Sequence, residues 1–218
     1  MNILVCISHV PDTTAKINFT ADGASLDPAG VQFVINPYDE FGLTKALHLK
    51  EAQGGSITVI NVGPATTEPT LRKALAIGAD NAVRIDATPM DAITVAKELK
   101  NHIEANSYDV IICGQESIDY NGQQVPAMLA AMLRLPFANA CVGLSIQNST
   151  ATATSEIDGG PVTAPARIKL LRAPPKPNSK RCANGCKKPR RPSRRATRSR
   201  TRCAACSMPA RSRWKTSA

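Results

Sequence analysis

Short apolar runs alternate with segments of helical spacing along the first 160 residues. Four continuous apolar runs predict buried strands, at residues 3–7, 56–62, 82–85 and 110–113. Four intervening segments carry apolar residues every three or four positions and predict helices, at residues 36–52, 67–77, 91–105 and 125–133. Strands and helices that alternate in this way favour right-handed crossovers, so we predict an α/β fold with a doubly wound, mainly parallel sheet.

Two features lie outside this alternation. Residues 19–30 predict a surface excursion, with a hairpin turn near Asp22 and Gly23. Residues 141–146 and 151–157 predict a closing pair of strands. Neither feature changes the predicted fold class.

The charge divides the chain into two parts. Residues 1–160 contain all 17 Asp and Glu with 9 Lys and Arg, which gives 9 − 17 = −8. Residues 161–218 hold the other 27 − 9 = 18 basic residues and no acid. We therefore predict an α/β domain over 1–160 and a basic tail of low hydrophobicity over 161–218.

The apolar content sets limits on the cellular setting. No run of about eighteen apolar residues appears, so we predict no membrane insertion. The N-terminal residues lack the basic region of a signal peptide. Cys6, Cys113 and Cys141 lie in apolar contexts, which suits the reduced thiols of a cytoplasmic protein better than a disulfide framework.

A binding site is expected where the strands of such a sheet end. Ligands of open parallel sheets lie beyond the carboxyl ends of the strands, near the switch in strand order. Residues 6–9, 61–64 and 114–124 emerge at such ends. The last of these leads into a helix whose first N–H groups favour an anion such as phosphate, although its polar residues could instead merely cap that helix.

The sequence shows no catalytic motif in this region. It contains neither GxGxxG nor GxxxxGK[ST], and no Ser/His/Asp set, Cys/His set or pair of carboxylates is placed for acid–base work. His9, directly after a strand, fits a rim or surface position. We therefore predict a nucleotide holder without side-chain catalysis of its own and without a metal in the domain.

Several motifs occur together and in a fixed order. They are VPDT (10–13), NPYDEFGLTKALHLKE (36–51), LRKALAIGAD (71–80), CGQESIDYNGQQVPAMLA (113–130) and EIDGG (156–160). With these motifs the chain resembles the beta subunit of electron transfer flavoprotein over nearly all of residues 1–160. Asn121, where most members have Asp, and Pro126-Ala127, where they have Gly-Pro, depart from the pattern.

The resemblance implies a partner and a cofactor. Members are alpha/beta heterodimers that carry electrons from acyl-CoA or other flavin dehydrogenases to a quinone reductase or another acceptor. The alpha subunit holds the redox-active FAD. The beta subunit, a Rossmann-like domain of the adenine nucleotide alpha-hydrolase type, holds AMP, or a second FAD in members that bifurcate electrons. The VPDT and NPYDEF variants are similar to bacterial, cytoplasmic members.

The resemblance also implies which residues bind the nucleotide. Backbone groups at Cys6 and Val62 would meet the adenine, and Asn36 would fix the neighbouring loop or bind the nucleotide itself. Asp119 and Asn121 would bind ribose or order their loop, while the N–H groups of residues 123–125 would face phosphate. The complete implied set is Cys6, Asn36, Pro37, Tyr38, Asp39, Val62, Ser117, Ile118, Asp119, Asn121, Gly122, Gln123, Gln124 and Val125.

The tail departs from the family after Gly160 and admits three interpretations. It reads as the product of a shifted reading frame, as a native disordered basic tail, or as a zinc module. The zinc module would use four cysteines, Cys182, Cys186, Cys203 and Cys206. If the tail replaces the arm that family members wrap around the alpha subunit, we expect a weakened or failed heterodimer.

Two other functions compete with the electron-transfer role. A stand-alone adenine-nucleotide-binding protein of the universal-stress type would share this general topology. A nucleic-acid-binding protein would use the basic tail, and its binding would then depend steeply on salt. A redox subunit has no evident need for nucleic acid, so nucleic acid is not an expected partner.

Overall fold

A four-stranded parallel sheet forms the centre of the computed structural model, which describes residues 1–148 and 150–167. In chain order the elements are β1 (Asn2–Cys6), β2 (His9–Pro11), β3 (Phe33–Ile35), α1 (Pro37–Gln53), β4 (Ser56–Val62), a 3₁₀ turn (Ala65–Thr67), α2 (Glu68–Ile77), β5 (Asn81–Ile85), α3 (Ala92–Ala105), β6 (Val110–Cys113), α4 (Val125–Leu133), β7 (Cys141–Gln147), β8 (Thr150–Ile157) and β9 (Gly160–Arg167).

The strand order of the central sheet is β5-β4-β1-β6, with every neighbouring pair parallel. The chain moves from β1 to β4 to β5 on one side and then returns to place β6 on the other side of β1. The order therefore switches between β1 and β6, where Cys6 is the register partner of Cys113. Their carboxyl ends leave a crevice of the kind in which ligands bind.

Helices cover both faces of this sheet, as the alternating pattern predicted. On one face, Leu43 and Ala46 of α1 and Leu71 of α2 pack against alternate strand residues such as Val5 and Val59. On the other face, α3 and α4 pack against the intervening strand residues, among them Leu4, Cys6 and Ile60. The doubly wound, mainly parallel α/β fold predicted from the sequence is confirmed.

Local sequence sets the beginnings of the helices. Pro37 lies in the first turn of α1, where its missing N–H costs nothing. Asp91 caps α3, because its Oδ1 accepts a hydrogen bond of 2.6 Å from the Thr94 N–H. These signals kept the predicted helix bounds within a residue or two of the observed ones.

Antiparallel strands lie beside the parallel sheet. The short strands β2 and β3 pair with each other, and neither was predicted. The predicted closing pair is present as β7 and β8, and the unpredicted β9 pairs with β8 from Gly160 to Arg167. Ile146 of β7 belongs to the core cluster that includes Leu49 of α1, so this second sheet packs on the α1 side.

Two predictions concern the ends of the domain. Regular structure continues beyond Gly160 through β9, and the division of the chain at residue 160 stays a prediction. The three interpretations of the tail lie outside the described residues for positions 168–218. Within residues 1–148 and 150–167, no helix has the length and apolar character needed to cross a membrane.

Candidate functional site

A cavity of about 1040 Å³ opens at the carboxyl edge of the sheet, over the switch between β1 and β6. Its walls come from the ends of β1, β4 and β6, from the start of α3, and from the loop that joins β6 to α4. Topology predicted the ends of the three strands and the loop after β6, whereas the contribution of α3 was not predicted. The predicted site residues among its lining are Cys6, Asp39, Val62, Ser117, Asp119, Gly122, Gln123, Gln124 and Val125.

Asn36 supports the wall of the cavity from behind. It is fully buried, its Nδ2 donates to the Glu116 carbonyl at 2.7 Å, and its Oδ1 accepts from the Ile118 N–H at 3.3 Å. Both partners belong to the loop between β6 and α4. The geometry therefore supports one of the two roles predicted for Asn36, that of fixing the neighbouring loop. The other predicted residues outside the lining are Pro37, Tyr38, Ile118 and Asn121.

Asp39 joins the two strand ends at the switch point. Its Oδ2 accepts from the Ser8 N–H at 2.8 Å, and its Oδ1 accepts from the Gly114 N–H at 2.9 Å. The residue is 4% exposed, and burial raises the pKa of its carboxyl to about 6, against the lowering effect of these hydrogen bonds. A Cβ at Gly114 would overlap the Asp39 carboxylate, so only glycine fits there.

The loop between β6 and α4 is folded tightly before the helix begins. Asn121 and Gln123 have φ values of 49° and 50°, a left-handed conformation that is uncommon outside glycine. The Asn121 N–H donates to the Ser117 carbonyl at 2.8 Å, and Gln123 Nε2 donates to Glu116 Oε2 at 2.8 Å. Asn121 thus orders the loop through its backbone, and the loop leads into α4, whose first residues Val125 and Pro126 line the cavity.

Among the described residues, the charged side chains that line the cavity are all acidic, which is unusual for a site that binds phosphate. Its described lining contains the acids Asp39, Asp91, Glu116 and Asp119 and neither Lys nor Arg. The first N–H groups of α4 have no acceptor within their helix and carry its positive dipole end. A phosphate would therefore depend on these N–H groups, whereas the carboxylates suit the hydroxyl groups of a sugar.

Asn61 lies beside the cavity, and one of its side-chain polar atoms has no hydrogen-bond partner among the described residues. It lies at the end of β4 with 4% of its surface exposed, and its Nδ2 donates to the Ile7 carbonyl at 2.9 Å. Its Oδ1 is buried and has no partner among the described residues. The Nδ2 bond fixes the orientation of the amide, because a flipped amide would turn its oxygen toward the Ile7 carbonyl.

His9 is part of the wall of the cavity, in agreement with the rim position predicted for it. Its ring stacks on Phe33 with a centroid distance of 4.5 Å and an interplanar angle of 8°, and its Nδ1 lies 2.7 Å from Thr70 Oγ1. Burial lowers the pKa of His9 from its ordinary value. His9 lies in β2 and Phe33 in β3, where the register partner of His9 is Ile35, so the rings meet diagonally across the strand pair. This contact was not predicted, because strands of three residues show no readable pattern.

Comparisons with known proteins show the family of the chain. A family profile described as "Electron transfer flavoprotein domain" matches residues 24–198, which extends past Gly160. An electron transfer flavoprotein subunit beta from Dictyostelium discoideum is 32% identical over 173 residues, covering 78% of this chain and 69% of the relative.

Two bacterial relatives of the same name are similar to the chain. The Bacillus subtilis protein is 32% identical over 175 residues, with 78% of this chain and 67% of the relative covered. The Bradyrhizobium diazoefficiens protein is 35% identical over 162 residues, with 73% and 65% covered. The chain thus spans about two thirds of the length of these relatives. By its matched profile and by these relatives, the chain belongs to the electron transfer flavoprotein family, as a beta-subunit member.

Proposed function

We propose that the cavity holds the adenosine part of a nucleotide, either AMP or a second FAD, and that the chain serves as the beta subunit of a heterodimeric electron transfer flavoprotein. In this proposal a redox-active FAD is held mainly by an alpha subunit. The chain is an electron-carrier component without side-chain catalysis, and it works in the cytoplasm. The electrons come from acyl-CoA or other flavin dehydrogenases and pass to a quinone reductase or another acceptor.

The observation that carries the proposal is the placement of the cavity over the strand-order switch. Its volume of about 1040 Å³ is at the upper end of the range for small-molecule sites, which is roughly 300–1,000 Å³. The floor offers the apolar side chains of Ile60 and Val62 to a base. Asp119 stands at the wall where a ribose would lie, and α4 begins where the phosphate would follow.

The charge distribution supports a short phosphate group at the rim. No cation lies in the described lining, so each added phosphate charge must be met by N–H groups at the start of α4. AMP places its phosphate within reach of one helix N-terminus. FAD places a diphosphate there and extends its flavin beyond the cavity.

The test is the identity of the nucleotide that co-purifies with the full chain. The protein is denatured, and the released small molecules are identified by chromatography and mass spectrometry. AMP supports the ordinary form of the proposal, FAD supports the bifurcating form, and a chain that neither retains nor rebinds an adenine nucleotide contradicts both.

A matched pair of variants locates the binding site. Asp119→Ala removes an acid from the cavity lining, whereas Asp158→Ala removes an exposed acid in the turn between β8 and β9. We expect Asp119→Ala to weaken nucleotide binding about tenfold, which corresponds to about 1.4 kcal/mol. Asp158→Ala should bind as the unaltered chain does, and an equal loss in both variants would place the site elsewhere.

A second experiment tests the subunit role separately. The chain is produced together with an electron transfer flavoprotein alpha subunit, and the complex is isolated through a tag on the beta chain. A stoichiometric, FAD-bearing alpha subunit supports the heterodimer. A chain that holds its nucleotide yet captures no alpha subunit would be a stand-alone adenine-nucleotide-binding protein.

A further inference from the structure

Two cysteines face each other across the central strand pair. Cys6 ends β1, Cys113 ends β6, and the two are register partners in the parallel ladder. Neighbouring strands lie about 4.8 Å apart, a spacing at which two cysteine side chains on one face can share a bond or a bridging atom. Both cysteines are free thiols.

The two thiols lie on the same face of the sheet. Side chains alternate between faces along a strand, and both Cys6 and Cys113 belong to the core cluster on the α3 and α4 side. The Cys113 side chain, as the hydrogen-bond partner of Cys6, raises the pKa of the Cys6 thiol, and burial raises it further. The two side chains are therefore in contact at the carboxyl ends of β1 and β6, and the Cys6 thiol stays protonated at neutral pH.

The pair is reachable through the cavity. Both cysteines line it, Cys6 with 9% of its surface exposed and Cys113 with an intermediate exposure. Cys141, the third cysteine among the described residues, is exposed on β7 and is not part of the lining. A small apolar reagent that enters the cavity thus meets two sulfur atoms side by side at its floor.

The ligand set determines which chemistry the pair can perform. Within residues 1–148 and 150–167, no group of three or more His, Cys, Asp or Glu side chains could hold a metal ion. Zinc, which requires four ligands in its structural sites, is therefore a poor match for two sulfurs. A soft centre that needs only two thiolates from the protein is a good match.

We propose that Cys6 and Cys113 form a dithiol site at the cavity floor that binds a trivalent organoarsenical through both sulfur atoms. An arsenoso group R–As=O reacts with the two thiols to give R–As bonded to both sulfurs and one water. The arsenic–oxygen bond and two S–H bonds break, two As–S bonds form, and both protons leave with the oxygen as water. Arsenic remains trivalent, so the reaction needs neither an oxidant nor a reductant.

Binding at this floor has a consequence for the cavity above it. The arsenical with its organic group occupies the part of the cavity beside Ile60 and Val62, which we propose for the nucleotide base. The arsenical and the nucleotide should then exclude each other. This consequence rests on the proposed function, whereas the dithiol site itself does not.

The test uses phenylarsine oxide on the full chain with Cys141, Cys182, Cys186, Cys203 and Cys206 replaced by serine. We expect intact mass spectrometry to show one arsenical per chain, at the mass of the reagent less one water. The adduct should survive excess 2-mercaptoethanol and be removed by dithiothreitol, because only a second dithiol can replace a two-point attachment.

Single substitutions separate two-point capture from ordinary thiol reactivity. In the same background, Cys6→Ser and Cys113→Ser should lose the adduct that resists 2-mercaptoethanol. Cys113→Ala is a second variant that removes the thiol without burying a hydroxyl group, and it should lose the same adduct. Circular dichroism checks that each variant is folded. An adduct in the two-cysteine chain that is as labile as in the single variants would overturn the proposal.

A competition experiment distinguishes failure of this proposal from failure of the proposed function. Saturation with AMP should slow formation of the arsenical adduct. Stable adduct formation that AMP does not slow would keep the dithiol site and contradict the placement of the nucleotide. Absence of any stable adduct, with nucleotide binding intact, would reject the dithiol site alone.

Discussion

Asp39 is the residue whose ionisation should be visible in the stability of the whole domain. Burial raises its pKa from 3.8 to about 6, although two backbone N–H groups favour the carboxylate. Between these two values the folded chain binds more protons than the unfolded chain. By linkage, the contribution of Asp39 to the free energy of unfolding falls as the pH rises from about 4 to about 6 and is constant above that range.

The prediction concerns the difference between the chain and its Asp39→Asn variant. Asparagine does not titrate, so the variant keeps its free energy of unfolding where the unaltered chain loses some of its own. The difference between variant and unaltered chain should therefore rise by up to about 3 kcal/mol between pH 4 and pH 7. A constant offset is also expected, since asparagine offers one acceptor where two N–H groups need one each. Urea unfolding at a series of pH values measures both, and a difference that does not change with pH contradicts the raised pKa.

At the scale of an element, the Asn36 side chain, from another part of the chain, holds the middle of the loop between β6 and α4. The Asn36 amide binds the backbone of Glu116 and Ile118, 80 and 82 residues away in sequence. Asn36→Ala leaves these buried backbone groups without their partner and should lower the free energy of unfolding by about 2 kcal/mol. Hydrogen exchange across residues 114–124 should become faster than in the unaltered chain.

Gln53 provides the matched control for this prediction. It lies at the other end of the same helix, α1, and its Nε2 donates to the Ile146 carbonyl at 2.7 Å, on the side of β7. Gln53→Ala also removes a bond from an amide side chain to a distant carbonyl, but it should leave exchange in residues 114–124 unchanged. Equal acceleration in both variants would mean that the loop responds to general destabilisation and not to Asn36.

The elements differ in how far local sequence determines them. Ser56–Val62 and Val110–Cys113 were predicted with their observed bounds, because a continuous apolar run that is buried on both faces leaves few alternatives. His9–Pro11 and Phe33–Ile35 were missed, because three residues are too few to show a period. The strand Gly160–Arg167 was missed, because the charge distribution assigned residues 161–167 to the basic tail.

In the candidate site, the sequence predicts which segments meet, but it does not predict how their side chains pack. The strand order implies that the ends of β1, β4 and β6 meet, so the segments around the cavity could be predicted from the sequence. Which side chain faces the cavity is decided by contacts between distant residues. Asn36 turns toward the loop, and His9 stacks on Phe33, and neither orientation leaves a signal in the sequence near it.

At the scale of the whole molecule, β9 extends the regular structure beyond Gly160. It pairs with β8 along eight residues, and among residues 1–148 and 150–167 it forms the edge of the three-stranded sheet. Proline is tolerated there, because an edge strand needs fewer N–H bonds. The Thr154 and Thr163 hydroxyls lie 3.1 Å apart across this pair. A domain that ended at Gly160 would leave β8 as an unpaired edge beside solvent.

Two shortened chains test this boundary without reference to the tail, which both of them lack. A chain of residues 1–167 keeps β9, and a chain of residues 1–159 does not. We expect the shorter chain to melt about 4–8 °C lower, which corresponds to about 2 kcal/mol for a domain of this size. The loss should appear as one cooperative transition, because Ile146 joins the second sheet to the core beside α1. Equal melting temperatures, measured by circular dichroism at matched concentration, would instead place the end of the stabilising structure at Gly160.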